Sequence, residues 1–330
     1  MSRILEKCEW TTDSFAPSFA SLFPHTLNRG TASSSPAAYR SMSHEREFLN
    51  APNGAILAID WFDHPEEIAK KYHGLVVLVN HGCTQNSSQA IFDYVVEHSH
   101  QLDVGCCIVN LQGVNGVQTN NTSLGTGLSM IIELKAVTER IHQHLGANFP
   151  KSLVAVSLGG IPVIEYLSQD KVNYSSACLI STPLNIPKWC STNSLPVLRC
   201  IESAKMVMKD NADQLTKLNI QAVTKASHAT TLSDIFNALH TTNVSSWYNS
   251  LEPYSRLDQI SKPLLMFYAI DDESMSFLDD VDLMRLCRNQ NIAVSVTEYG
   301  GHCDFHVLNR KSWIGLCVLE YLSISLRPEF

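Results

Sequence analysis

The sequence predicts an α/β protein with a mostly parallel central sheet that is covered by helices on both faces. Short apolar runs, typical of strands buried on both faces, alternate along the chain with longer stretches of helical periodicity. In addition, the segment from Ser152 to Leu167 passes from a β-branched run through two glycines into helical spacing. That order indicates a strand, a sharp turn and a helix.

The composition is that of a large, acidic, globular chain. The protein has 330 residues, of which 45% are hydrophobic and 17% charged, so it can bury a large core and accommodate an insertion. Its formal net charge is −8 and its pI is about 5.9. Because no basic run accompanies this acidic balance, we expect no nucleic-acid partner.

The cysteine and hydropathy patterns indicate a cytoplasmic protein. Its 10 cysteines are scattered and form no C-x-x-C unit, which favours reduced thiols over disulfides or a metal site. No apolar run reaches the roughly 18 to 20 residues that a membrane span needs, so we expect no transmembrane anchor. The first residues lack the apolar stretch of a secretory signal, although a Ser-rich stretch with Arg29 and Arg40 leaves organelle targeting open.

The pattern divides the chain into four segments. We expect an irregular N-terminal arm over 1–45, the first part of the core over 46–182, a helical lid insertion over 183–252, and the second part of the core over 253–330. The insertion mixes apolar and charged residues at roughly helical spacing, as expected of a cap with an apolar inner face. Its Met and Leu residues fit the lining of an acyl pocket and ordinary helix packing equally well.

The core elements follow in order from the hydrophobic pattern. Alternation on both sides of a P-N-G turn predicts a β-hairpin over 46–62. Periodicity predicts a helix near 89–98 and a long helix over 127–145. Further strands are predicted at LVVLVNHG from Leu75, CCIVNLQG from Cys106, ACLIST from Ala177, PLLMFYAI from Pro263 and AVSVTEYGG from Ala293.

Ser157 is the candidate nucleophile, because it occupies the turn between a predicted strand and a predicted helix. A serine exposed on such a strained elbow needs small neighbours, since strand and helix pass close together there. Ala155, Gly159 and Gly160 supply them, with Ala155 standing where the G-x-S-x-G pattern has its first glycine.

A serine hydroxyl needs an imidazole to take its proton and an acid to orient that imidazole. Asp271 and Asp272 both follow a predicted strand, and the spacing favours Asp272, which lies further into the loop. His302 follows two glycines after the last predicted strand, and we prefer it to His306, which is expected on the next helix. The carboxyl ends of the strands therefore predict a Ser157, Asp272 and His302 triad.

Two backbone N–H groups are expected to hold the oxyanion. One is that of Leu158, directly after the nucleophile, and the other is that of Cys83, in the loop after VLVNHG. Cys83 has an alternative interpretation as a thiol nucleophile, which we disfavour because Ser157 already occupies the elbow.

These motifs together resemble the esterase/lipase subfamily of α/β-hydrolase-domain proteins. That subfamily includes embryogenesis-associated hydrolases, medium-chain phospholipase and monoacylglycerol lipase relatives, and yeast ethyl-ester synthases. The resemblance runs from about Arg46 to the C-terminus and includes the opening hairpin, the NHG loop, the VSLGG elbow and the EYGGHCDF histidine loop. It implies an α/β-hydrolase fold in which Asp272 is the acid and His302 the base.

The chain departs from the subfamily pattern without losing a catalytic group. The departures are Ala155 in the elbow, Gln112 and Asn115 in the segment that usually ends in R-G-C-G, and Asn237 where an aspartate is common. The N-terminal membrane segment of some relatives is also absent, which implies a soluble protein or one in peripheral contact with a membrane.

We therefore expect a serine hydrolase that cleaves carboxylic esters of hydrophobic acyl groups, either short- to medium-chain or glycerolipid, without a metal or an organic cofactor. The same residues would serve an acyltransferase that makes esters from an alcohol. A third hypothesis, a non-catalytic binding protein on the hydrolase fold, is weakened because all three triad members are present.

Overall fold

The part of the chain that the structure describes is built around an eight-stranded sheet. The computed structural model describes residues 42, 44–81, 85–120, 129–169, 171–190, 193–239, 253–273, 286, 288–303, 305 and 313–327. The strands are β1 (Glu45–Asn50), β2 (Ile56–Trp61), β3 (Gly74–Asn80), β4 (Val104–Asn110), β5 (Lys151–Val156), β6 (Ser176–Ile180), β7 (Leu264–Ala269) and β8 (Ile292–Thr297).

The order of these strands across the sheet is β1-β2-β4-β3-β5-β6-β7-β8. Strand β2 runs antiparallel to both of its neighbours, β1 and β4, and every other pairing is parallel. The carboxyl ends of β3 to β8 therefore meet at one edge of the sheet. The mostly parallel α/β sheet predicted from the sequence is confirmed.

The helices of the described residues alternate with the strands in the core and follow one another in the insertion. They are α1 (Pro65–Lys71), α2 (Gln85–His98), α3 (Ser129–Leu145), α4 (Gly160–Leu167), α5 (Ile186–Cys190), α6 (Leu195–Asp210), α7 (Ala212–His228), α8 (Leu232–Leu239), α9 (Pro253–Leu257) and α10 (Trp313–Ser325).

The opening hairpin forms because its turn has the residues that the backbone geometry demands. The Ala51 N–H donates to the Ala55 carbonyl, and Gly54 adopts a φ of 81°, in the left-handed region that glycine enters without strain. Strand β1 begins at Glu45, one residue before the predicted hairpin, so the predicted arm of residues 1–45 contributes its last residue to the sheet. The rest of that arm lies outside the described residues, apart from Met42 and His44.

Alternating side chains of each buried strand supply two hydrophobic cores, one on each face of the sheet. In β3, Val77 and Val79 join the core that includes α3 and α4, whereas Val76 and Leu78 join the core that includes α2 and α10. Both faces of the sheet are thus covered by helices, as the continuous apolar runs predict.

Four helices, α5 to α8, occupy the described part of the predicted lid segment. Each contacts at least one of the others, and Trp189, Leu215 and Ile235 continue the hydrophobic core that contains α4. Extended backbone at Asn219 divides α7 into two pieces, and the Asn219 side-chain oxygen accepts a hydrogen bond from the Ala222 N–H, which caps the second piece.

Seven cysteines in the described part of the chain are buried thiols outside any disulfide. Cys178 and Cys317, for example, are fully buried in the core that contains α10. Within the same residues, no helix has the length and apolar character that crossing a bilayer requires.

Candidate active site

Ser157 occupies a sharp turn between β5 and α4. The strand ends in extended backbone at Val156, and the chain then enters a single 3₁₀ turn over Ser157–Gly159 before α4 begins. Ser157 has a φ of 52°, a left-handed conformation that is strained for a residue with a β-carbon. Because the turn follows the last residue of β5, the serine lies at the carboxyl edge of the sheet, as the elbow pattern predicts.

The small residues around Ser157 are required to different degrees. A β-carbon on Gly160 would lie 2.1 Å from the Thr182 Oγ1, so only glycine fits there. A β-carbon on Gly159 would lie 3.4 Å from the Val79 carbonyl oxygen, which is a tight but ordinary contact, and 3.9 Å from the Ala155 β-carbon. Because the Ala155 methyl group leaves this space open, the missing first glycine of the elbow does not disturb its packing.

The structure brings Ser157, His302 and Asp272 together. The His302 Nε2 lies 2.8 Å from the Ser157 Oγ, and the His302 Nδ1 lies 2.8 Å from the Asp272 Oδ2. Asp272 follows β7, His302 follows β8, and both side chains are almost completely buried. A proton on Nδ1, donated to Asp272, leaves Nε2 to accept the hydrogen bond of the serine hydroxyl.

Asp271, the alternative acid, has a different position. Its Oδ1 accepts hydrogen bonds from the Gly300 N–H at 2.9 Å and from the Gly301 N–H at 2.8 Å. These glycines directly precede His302, so Asp271 fastens the loop that carries the imidazole. Asp271 therefore contacts the two glycines of the loop, and Asp272 contacts the imidazole that follows them. The sequence did not reveal that the two aspartates have these separate contacts.

The surroundings of His302 strengthen it as a proton acceptor. Burial disfavours the charged imidazolium, whereas the Cys303 sulfur and the Asp272 carboxylate beside the ring favour it. The favourable contributions prevail, and the pKa of His302 is raised well above the usual range for histidine. A raised pKa means that the neutral form of His302 has a high affinity for a proton, so this form is a strong general base.

Trp189 is a residue of the site that sequence reasoning missed. It lies on α5, is fully buried, and places its indole against the His302 ring, with centroids 6.5 Å apart and the planes tilted by 32°. The insertion thus reaches the imidazole directly. The only signal in the sequence is an aromatic residue at the start of the predicted lid.

One of the two predicted oxyanion donors is described by the structure. Leu158 follows Ser157 within the 3₁₀ turn, where its N–H belongs to the first turn before α4. Cys83 lies outside the described residues, as does His306. At the end of β3, Val79 and the buried His81 approach Gly159 of the elbow.

The structure also describes the three other residues that depart from the subfamily pattern. Gln112 is buried, and its Oε1 accepts a hydrogen bond from the Thr119 hydroxyl at 3.3 Å. Asn115 adopts a φ of 50°, and Asn237 is exposed on α8. Among the described residues, no group of three or more His, Cys, Asp and Glu side chains is arranged to hold a metal ion.

Comparisons with known proteins agree with this architecture. No protein-family model matches the chain. Phospholipase ABHD3 of Mus musculus is 24% identical over 92% of this chain and 76% of its own length, and the Homo sapiens protein of the same name is 23% identical over 82% and 67%.

Solved structures share the fold at lower identity. The esterase Pf2001 of Pyrococcus furiosus superposes with a TM-score of 0.55 at 14% identity, covering 91% of this chain and 95% of the esterase. Est1E of Butyrivibrio proteoclasticus gives a TM-score of 0.54 at 15% identity, covering 84% and 96%. The chain is thus similar in sequence to phospholipases named ABHD3, and it shares the α/β-hydrolase fold of the solved esterases.

Proposed function

We propose that the protein is a serine hydrolase that cleaves carboxylic esters of hydrophobic acyl groups through a Ser157, His302 and Asp272 triad. The observation that carries this proposal is the pair of 2.8 Å distances that joins the Ser157 hydroxyl, the His302 ring and the Asp272 carboxylate in one line. Each partner has the position that proton transfer from a serine hydroxyl requires.

In the proposed reaction, the Ser157 Oγ attacks the ester carbonyl while the His302 Nε2 takes its proton. Asp272 stabilises the imidazolium that forms, and the N–H groups of Leu158 and Cys83 hold the oxyanion of the tetrahedral intermediate. The intermediate collapses when His302 gives the proton to the alcohol that leaves. A water molecule then attacks the acyl-enzyme by the same steps, and the acid is released.

The insertion and the relatives support the proposed substrate class. Apolar side chains of the insertion, including Ile186 and Trp189, are buried in the core that also contains Leu158. We propose that the segment 183–252 acts as a lid and that its apolar inner face receives an acyl chain of short to medium length or one carried by a glycerolipid. The similarity to phospholipases named ABHD3 supports a lipid ester.

The outer face of α6 supports peripheral contact with a lipid surface. Leu195, Leu198 and Met206 are 53%, 43% and 52% exposed, and helical geometry aligns them on one stripe with two cations and one carboxylate, Arg199, Lys209 and Glu202. Exposed apolar side chains beside cations favour a phospholipid surface.

Sedimentation with phospholipid vesicles tests this contact. The Leu198→Glu variant should bind less than the parent protein, whereas Phe48→Glu, at an exposed position on β1, should bind as well as the parent. Equal binding by Leu198→Glu and the parent would exclude this face of α6.

Labelling with a fluorophosphonate probe tests the nucleophile. The parent should be labelled and should hydrolyse p-nitrophenyl esters, with kcat/KM highest for acyl chains of one preferred length. Ser157→Ala should lose the label and nearly all turnover while keeping its melting temperature, because the hydroxyl contributes to chemistry rather than to packing. Labelling of Ser157→Ala at another serine would contradict the proposal.

Product analysis separates hydrolysis from acyl transfer, since both use the same residues. With ethanol added to the assay, a hydrolase should release mainly free acid, whereas an acyltransferase should release mainly the ethyl ester.

The buried thiols fit a reducing compartment and support the cytoplasm as the proposed location.

A further inference from the structure

A line of four polar side chains, three of them buried, crosses the sheet from its first edge toward Ser157. We call this set, Arg46, Asp60, Asn110 and Asn80, the polar line. Asp60, Asn110 and Asn80 are at most 1% exposed, although each ends in charged or amide atoms. Burial of such groups is unfavourable unless they are hydrogen-bonded, so the arrangement of their partners is informative.

Each member of the polar line is hydrogen-bonded to the next. The Arg46 Nε donates to the Asp60 Oδ1 at 2.6 Å, and its Nη2 donates to the Asp60 Oδ2 at 2.7 Å. The Asn110 Nδ2 donates to the same Oδ2 at 2.8 Å. The Asn80 Nδ2 in turn donates to the Asn110 Oδ1 at 2.9 Å. The bidentate ion pair between Arg46 and Asp60 is therefore extended by two hydrogen-bonded amide side chains, those of Asn110 and Asn80.

The polar line follows the spatial order of the strands. Arg46 is on β1, Asp60 on β2, Asn110 on β4 and Asn80 on β3, which is the order β1-β2-β4-β3 of the sheet. The next strand is β5, which ends beside Ser157. The polar line thus stops one strand short of the nucleophile, at Asn80, the last residue of β3.

Asn80 depends on the polar line for its orientation. Its Nδ2 bonds Asn110, whereas its Oδ1 is buried without a hydrogen-bond partner among the described residues. On either side of Asn80, Val79 and His81 approach Gly159 of the elbow. The bond to Asn110 therefore adds a side-chain link between β3 and β4 to the backbone pairing of these strands, at the point where β3 meets the turn that carries Ser157.

We propose that Asp60, acting through Asn110 and Asn80, is a positioning residue that holds the end of β3 against the elbow, and thereby aligns the N–H group of Leu158 with the oxyanion. This inference rests on the proposed function. An oxyanion donor must be aimed before the charge develops, and a misplacement of about 1 Å can lower a rate on the order of a hundredfold. The polar line supplies the rigidity that such a donor needs.

Two variants in the full chain break the polar line at different links. Asn80→Leu removes the last link without leaving a buried charge, and Asp60→Asn keeps the shape of Asp60 but places an amide against the donors of Arg46 and Asn110. Both should lower kcat by about tenfold or more while KM stays within about twofold, because the donor acts on the transition state. The Ki of an alkyl trifluoromethyl ketone, which forms a tetrahedral adduct with the serine, should rise by the same factor. Should Asn80→Leu fail to fold, Asn80→Ser breaks the same link with a smaller side chain.

Ser176→Ala is the matched control. Ser176 is also buried, and its hydroxyl lies 2.7 Å from that of Ser152 near the opposite end of the strands. It should lower the melting temperature without changing kcat or the Ki of the ketone. The acid limb of the pH profile should be the same in all variants, since His302 and Asp272 are untouched.

Three results would overturn the inference: parental kcat in folded Asn80 and Asp60 variants, a lowered kcat with an unchanged Ki of the ketone, or an equal loss of kcat in Ser176→Ala. Failure of the proposed function is distinguishable from these, because Ser157→Ala would then keep its turnover. If only the inference fails, turnover still requires Ser157.

Discussion

The indole of Trp189 lies against the imidazole of His302, and this contact joins the helical insertion to the proposed catalytic base. The side chains of Trp189, His302 and Asp272 are all buried, so little water surrounds the imidazole. Exclusion of water strengthens the electrostatic interactions within such a site. The insertion is therefore expected to affect the chemistry as well as the access of substrate.

Substitutions at Trp189 test this contact. Trp189→Phe keeps an aromatic ring against His302 and should retain kcat/KM within about threefold, whereas Trp189→Leu fills part of the volume without a ring and should lose about tenfold, or 1.4 kcal/mol. Steady-state kinetics with a medium-chain p-nitrophenyl ester measures the difference, and thermal melting checks the fold. Parental kinetics in Trp189→Leu would show that the ring has no part in the reaction.

The two aspartates are predicted to respond differently to the same changes. Asp272→Asn should lower kcat by several orders of magnitude, because an amide favours the wrong tautomer of His302. Asp271→Asn retains an oxygen that can accept from Gly300 and Gly301, so its activity should stay close to that of the parent.

Asp271→Ala should lose about tenfold in kcat, because the loop before His302 is released and the imidazole is no longer held in place. Comparison of kcat among the three variants provides the measurement. Equal kcat in Asp271→Ala and Asp271→Asn would rule out a role for Asp271 in fixing this loop.

The sequence allowed the local features of the site to be predicted but not the contacts between distant segments. Ser157 could be predicted because an elbow is a continuous pattern of strand, turn and helix. Asp272 and His302 could be predicted because reactive groups gather at the carboxyl ends of parallel strands. Trp189 was missed because periodicity does not reveal which side of a lid helix faces His302.

The polar line was missed for a related reason. Asn80 and Asn110 stand at the ends of apolar runs, where a polar residue simply marks the end of a strand. Their connection to Asp60 depends on β4 lying between β2 and β3, an order that differs from the order along the chain. Pairing between strands that are not consecutive cannot be deduced from the pattern of one segment.

The two glycines of the elbow provide a test of packing. Gly160→Ala should lower the stability by roughly 1–3 kcal/mol, because its methyl group would overlap the Thr182 side chain. Gly159→Ala should lower it less, since the nearest atom would be 3.4 Å away. Melting temperatures of both variants measure the difference.

Thr182→Ala removes the atoms nearest to the new methyl group and should restore part of the stability of Gly160→Ala in the double variant. An additive double variant would contradict the predicted overlap.

The raised pKa of His302 predicts where activity is lost at low pH. The proposed reaction requires neutral His302, so kcat/KM should fall as the pH drops through the pKa of this group, and the midpoint should lie above the ordinary histidine value of about 6.5. Because the Asp272 carboxylate favours the imidazolium, Asp272→Asn should move the midpoint of its residual activity to lower pH. The Ser176→Ala variant, which leaves the charges around His302 unchanged, should keep the parental midpoint. An unchanged midpoint in Asp272→Asn would mean that a group other than His302 controls the acid limb.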